Sequence, residues 1–160
     1  MTSTQEKITV TRDELFAHLN TTVAQFIELY QHIPNPEAVQ VDAWTAKNVL
    51  CHVTFWHESF ARNVRDLVND IPPRPLKGRY ADLNQQCFAE MDPLPIETIL
   101  QRFSNAQDTI RANVFNPKLT LIPYKKGSRD YTPEEHLYIV TEHVQDHLQT
   151  IKKIISRRKA

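Results

Sequence analysis

Apolar residues recur at spacings of three and four along most of the chain, the periodicity of helices that bury one face. The first such stretch places Leu15, Leu19, Val23, Phe26 and Tyr30 on one side. Thr11 and Glu14 form a capping-box pattern at its start, and Pro34 stops it. A polar lead-in over residues 1–10 precedes it, and a proline-bearing connection over residues 33–43 follows. The second helix opens around Trp44 and Thr45, with Thr45 as N-cap, and runs to about Asn69. Its inward face carries Val49, His52, Val53, Trp56, Phe60 and Leu67.

A proline-rich loop (71–78, IPPRPLKG) leads into a short helix over residues 80–91 holding Leu83, Cys87 and Phe88. The segment DPLP at 92–95 breaks or kinks it, because proline lacks an amide donor and clashes with the preceding turn. A longer helix from residue 96 to about 114 follows, with Ile99, Leu100, Phe103, Ala106 and Ile110 on its apolar face. After a second loop over residues 115–131, Thr132 caps the last helix, with Pro133 first and Glu135 three after the cap. No strand and no internal repeat is evident. The expectation is all-α: a four-helix bundle with a kinked or split third helix, forming a single domain over residues 1–160. The long second and third connections permit a crossover.

The last helix concentrates the chemistry. His143 and His147 are four apart, so they sit one above the other, close enough to chelate one ion. They lie in or beside the stripe of Leu137, Val140, Val144, Leu148, Ile151 and Ile155. A third ligand must come from another helix, and His52 on the apolar face of the second is the candidate. Three neutral imidazoles and one open position match catalytic zinc sites. Glu142 and Asp146 are candidates to orient the rings. His18 and His57 read as surface groups, and Trp44 and Trp56 as core or cap packing. Cys51 and Cys87 read as small core residues, since Cys51 and His52 are consecutive and point about 100° apart.

Charge and composition narrow the classes. Nineteen basic residues balance nineteen acidic ones, which leaves no electrostatic footprint for nucleic acid or an anionic membrane. The basic run from Lys152 to Lys159 complements the C-terminal end of a helix dipole. Two glycines in the whole chain argue against tight hairpins and glycine-rich phosphate loops. No signal-peptide core or membrane-length apolar run is present, and two cysteines make no disulfide framework, so a cytoplasmic protein is expected.

The stretch from Trp44 to His57 (WTAKNVLCHVTFWH) resembles the second-helix signature of the DinB-like (damage-inducible) helical-bundle superfamily. In that signature a tryptophan and a helix cap precede a ligand histidine. The stretch from Glu142 to Ile151 (EHVQDHLQTI) is similar to the superfamily's fourth-helix signature, whose two histidines complete a metal site. The proline-rich loop followed by Tyr80, Leu83 and Asn84 resembles the ClbS/DfsB branch. The resemblance implies a DinB/YfiT-like bundle holding zinc or nickel through His52, His143 and His147. Some superfamily members are transferases or isomerases that use a low-molecular-weight thiol. The ClbS/DfsB branch includes a resistance protein that hydrolyses an electrophilic cyclopropane.

Three readings follow. The first is a metal-dependent hydrolase or thiol-dependent transferase. The second is a metal-independent protective protein acting on an electrophilic small molecule, with Trp56, Tyr80, Asn84 and Tyr124 as candidate substrate-binding residues. The third is a non-catalytic bundle that forms a homodimer and merely retains buried histidines. No residue is singled out as catalytic.

Overall fold

A computed structural model describes residues 10–159. Except for Val10, the lead-in expected over residues 1–10 lies outside the described residues. Five α-helices are present among them: α1 (Arg12–Gln31), α2 (Ala46–Val68), α3 (Tyr80–Met91), α4 (Ile96–Asn113) and α5 (Pro133–Lys159). The sequence suggested four helices with the third kinked or split. It is split: Pro93 and Pro95 fall in the interruption at 92–95, so α3 and α4 are distinct elements and the helices number five among the described residues. The chain also contains strands, contrary to expectation: β1 (Gln40–Val41) pairs antiparallel with β2 (Trp44–Thr45). No glycine is needed at this hairpin because Asp42 takes the left-handed conformation, with φ 54°. Aspartate tolerates that region better than most residues.

The helix boundaries are set by side chains. Thr11 and Glu14 bond reciprocally at the start of α1, and Thr45 and Asn48 do the same at the start of α2. At α5, the Thr132 amide donates to Glu135 Oε1 at 2.9 Å and the Glu135 amide donates to Thr132 Oγ1 at 3.1 Å. Each box satisfies amides that a helix start otherwise leaves unpaired.

Helix α2 packs most extensively on α4, and α1 on α5; α1 also touches α4, and α2 touches α5. Helices α1 and α2, consecutive among the long ones, therefore occupy opposite corners, and α3 lies outside against α2. Phe26 of α1 meets Phe103 of α4 edge-on at 5.6 Å between ring centres. The Tyr30 hydroxyl donates to the Ala46 carbonyl at 2.6 Å, tying α1 to the start of α2. Arg12 donates to Glu134 and to the Val114 carbonyl, joining the starts of α1 and α5 to the end of α4. No described helix is long and apolar enough to cross a membrane.

Two histidines belong to this interior. His57 is buried, not a surface group, because α4 covers the side of α2 that a single amphipathic face leaves to solvent. Its Nε2 donates to Gln107 Oε1 at 2.8 Å, and its ring lies 4.8 Å from that of Phe103. His136, in the first turn of α5, stacks flat on Phe60 with ring centres 4.0 Å apart. Burial pushes both imidazoles down to about 4. The unfolded chain, with ordinary histidines near 6.5, binds more protons than the folded one between those values. Their stabilising contribution is thus complete above pH 6.5 and is lost as the pH falls toward 4. Urea unfolding should show stability declining over that window by up to about 1.4 kcal/mol per pH unit for each histidine. His136→Phe should make the decline shallower. A flat profile, or an unchanged slope in the variant, would contradict the buried neutral assignment.

Candidate metal centre

His52 sits two turns into α2, on the side facing α5, where His143 and His147 occupy successive turns. The three Nε2 atoms converge: His143 Nε2 lies 3.0 Å from that of His52 and 3.2 Å from that of His147. Their rings stand 4.8 to 5.2 Å apart, at interplanar angles of 77° to 82°. Nitrogens held about 2.1 Å from one tetrahedral ion are about 3.4 Å apart, close to this spacing. All three rings are part-exposed, so the cluster is reachable from solvent.

The tautomer of His52 is fixed from outside. Asn84, on α3, presents Oδ1 to His52 Nδ1 at 3.0 Å. An amide oxygen only accepts, so Nδ1 carries the proton and Nε2 keeps a lone pair. A proton on His143 Nε2 directed at His52 does not also satisfy His147, so hydrogen bonding alone leaves the trio frustrated. A cation among the three nitrogens removes the conflict. Electrostatics agree: burial, followed by the neighbouring His147, pushes His52 down to about 4. Burial followed by His52 and His147 pushes His143 to about 3, and burial also lowers His147. These rings are neutral at pH 7, the state in which imidazole binds metal. The residues fit a divalent ion.

Glu142 and Asp146, the expected orienting carboxylates, are exposed and do not hydrogen-bond the rings among the described residues. The orienting role falls instead to Asn84, which was expected as a pocket residue. Trp44 packs against the His52 ring at 5.1 Å, with Phe88 behind it.

The other pocket candidates form an aromatic wall one turn along α2. Trp56 stacks on Tyr124 at 5.3 Å and an angle of 19°, and Tyr80 lies 5.7 Å from Trp56 on another side. Two loops hold this wall in place. Leu76 bridges to Lys125, the Lys126 amide donates to the Leu76 carbonyl at 2.8 Å, and Ile122 pairs with Tyr131. Asn63 anchors the second loop to α2 by donating to the Pro123 carbonyl at 3.2 Å. Lys125 Nζ donates to the Gly78 carbonyl and lies 5.1 Å from the Tyr80 ring centre. Neither cysteine competes as a nucleophile: both are fully buried, and burial pushes the Cys51 thiol up to about 12 and Cys87 upward as well.

Sequence reasoning passed over His136, which precedes His143 by seven residues and so shares its helix face. That spacing was the available signal. His136, His143, Trp56 and Tyr124 line one small cavity.

The fold is similar to the crystal structure of the mycothiol-dependent maleylpyruvate isomerase, with a TM-score of 0.70 at 10% identity. That match covers 90% of this chain and 62% of the isomerase, so this chain spans about three fifths of the isomerase's length. A histidine-to-alanine variant of that enzyme gives 0.71 with the same identity and coverage. An uncharacterised protein from Clostridium difficile 630 matches with a TM-score of 0.70 at 12% identity, over 89% of this chain and 94% of its own. At such identities the likeness is one of fold. No curated protein matches the chain. The DinB superfamily model matches residues 7–151, and with that match the chain belongs to the DinB superfamily.

Proposed function

We propose that this protein is a metal-dependent enzyme that holds zinc or nickel through His52, His143 and His147 and uses a small thiol as co-substrate. The carrying observation is the convergence of three imidazole nitrogens with a tautomer fixed by Asn84. When bound, such an ion supplies Lewis acidity that lowers the pKa of a thiol or of water. A thiol, near 8.5 when free, needs far less lowering than water. That favours thiol transfer over hydrolysis in a cluster whose rings no carboxylate touches among the described residues. The isomerase that shares the fold is itself mycothiol-dependent, which supports the same choice. The chain's own residues supply neutral ligands, one locked ring and an aromatic wall of Trp56, Tyr80 and Tyr124 to receive the organic part of a substrate.

Elemental analysis of purified protein should find about one zinc or nickel per chain, lost in His52→Ala and His147→Ala. Unchanged metal content in both variants would remove the proposal. Asn84→Leu should leave the fold intact and weaken metal affinity about 10- to 100-fold, because the His52 proton loses its acceptor. Equal affinity would show that Asn84 does not position the ring.

A second reading, of the ClbS/DfsB type, rests on the stretch 71–84, which brings Tyr80 against Trp56 at 5.7 Å. On that reading metal-free protein still consumes an electrophilic substrate such as an activated cyclopropane, and Trp56→Ala abolishes the consumption. Consumption only by metal-loaded protein would exclude it.

A further inference from the structure

Behind the histidine cluster the interior leaves a set of polar atoms without partners. His57 and His136 are each 2% exposed and Trp56 7%. Even so, His57 Nδ1, Trp56 Nε1 and both nitrogens of His136 make no hydrogen bond among the described residues. The large majority of buried side-chain polar atoms in folded proteins have a partner, in the protein or in ordered water. All three side chains line one small cavity of about 30 Å³, and Ser59, Asn63, Tyr124 and His143 line it too. One water needs roughly 10–15 Å³ measured in this way, so the space suits about two waters, or one group of two heavy atoms.

The chemistry of the lining defines the occupant. Arg111 Nη2 donates to Asn20 Oδ1 at 2.6 Å, and Gln107 Nε2 donates to the same oxygen at 3.3 Å. Gln107 therefore turns its oxygen to His57, which must donate from Nε2. His57 Nδ1 is thus an acceptor with no donor. Trp56 Nε1 is a donor with no acceptor, and neutral His136 offers one of each. Around the cavity there is no lysine, arginine or carboxylate among the described residues. An ion there would be desolvated without compensation, whereas an uncharged group that both donates and accepts is satisfied. His143 lines this cavity and also belongs to the metal cluster, so the two spaces adjoin.

We propose that this chamber is an exchangeable subsite for an uncharged hydroxyl group of the substrate, occupied by water when substrate is absent. The proposal rests on reading the three-histidine cluster as the active centre, because only then does a group seated here extend toward the reacting atoms. It assigns to His57, His136 and Trp56 the reading of a primary alcohol terminus, which none of them performs as a packing residue.

The test is crystallographic, with methanol as the probe, on zinc-loaded wild-type protein and on His136→Phe. Wild-type crystals should show ordered water on His57, His136 and Trp56, and a methanol soak should replace it. His136→Phe, whose phenyl ring keeps the stack on Phe60, should retain its zinc while losing the ordered water and the methanol. Water that methanol does not displace would make the chamber a fixed structural site and overturn the proposal. A dry chamber that instead takes up xenon under pressure would overturn it equally. Occupancy of the chamber is read independently of the zinc content. In the wild-type protein, absence of zinc would strike at the metal centre, and absence of methanol from the soaked chamber at this inference.

Discussion

The burial of α2 on nearly every side is the constraint from which the rest of the structure follows. Fourteen of its 23 residues are buried, and only Arg62 and Arg65 are exposed, so little of it is free to carry polar groups. Several of its polar side chains find partners inside the fold. Asn63 reaches a loop carbonyl, His57 reaches Gln107, and Glu58 accepts two bonds from Arg102 at 2.7 and 2.9 Å. His52, at the edge of the packed zone, finds Asn84 on one side and the α5 histidines on the other. The cluster is thus a product of the core, held by rigid helices from three directions. Sites built this way keep their geometry better than sites on loops.

Much of this was legible in the sequence because it is local. The reciprocal caps at Thr11, Thr45 and Thr132 depend on residues three apart, and the chelating pair His143 and His147 depends on helical pitch alone. His52 was found because its neighbours Val49, Val53 and Trp56 mark the inward face. What was not legible depends on which element covers which side. His57 lies 100° from Trp56 around the helix, and nothing within α2 reveals that α4 closes over that second face. The same limit applies to the break at 92–95. Two prolines announce an interruption, but whether the chain kinks or turns is decided by how α3 docks on α2. The hairpin at residues 40–45 was missed for a different reason: two-residue strands are too short to show alternation.

Electrostatics divide the molecule into two regimes. With 19 charges of each sign, the surface is laced with ion pairs such as Arg111 with Asp108 and Arg79 with Asp82. Exposed pairs of this kind each contribute about 0–1 kcal/mol. The interior around α2 and α5 instead collects uncharged imidazoles, indole and amides, where unmatched hydrogen-bonding capacity is costly. A chain optimised for stability alone would fill those positions with apolar residues of similar volume. That it places His57 and His136 next to the part-exposed cluster, around a cavity that His143 also lines, is the kind of departure from local rules that marks a candidate site.

The arrangement also bears on what kind of substrate the site accepts. Lys125 borders the aromatic wall, its ammonium engaged by the Gly78 carbonyl and the Tyr80 ring. Tyr124 does not supply a negative charge, since burial pushes its phenol up to about 12. The positive charge of Lys125 therefore lies beside Tyr80, while the indole and phenol groups of Trp56 and Tyr124 carry none. Selection among small molecules at such a surface comes from stacking on Trp56 and Tyr124 and from unpaired donors and acceptors, more than from charge pairing. A buried hydrogen-bonding group left unmatched by the wrong ligand discriminates more sharply than a missing methylene. The orphaned nitrogens behind the cluster place that discriminating power next to the candidate reaction centre, and the pairing of Leu76 with Lys125 joins the two loops beside the wall.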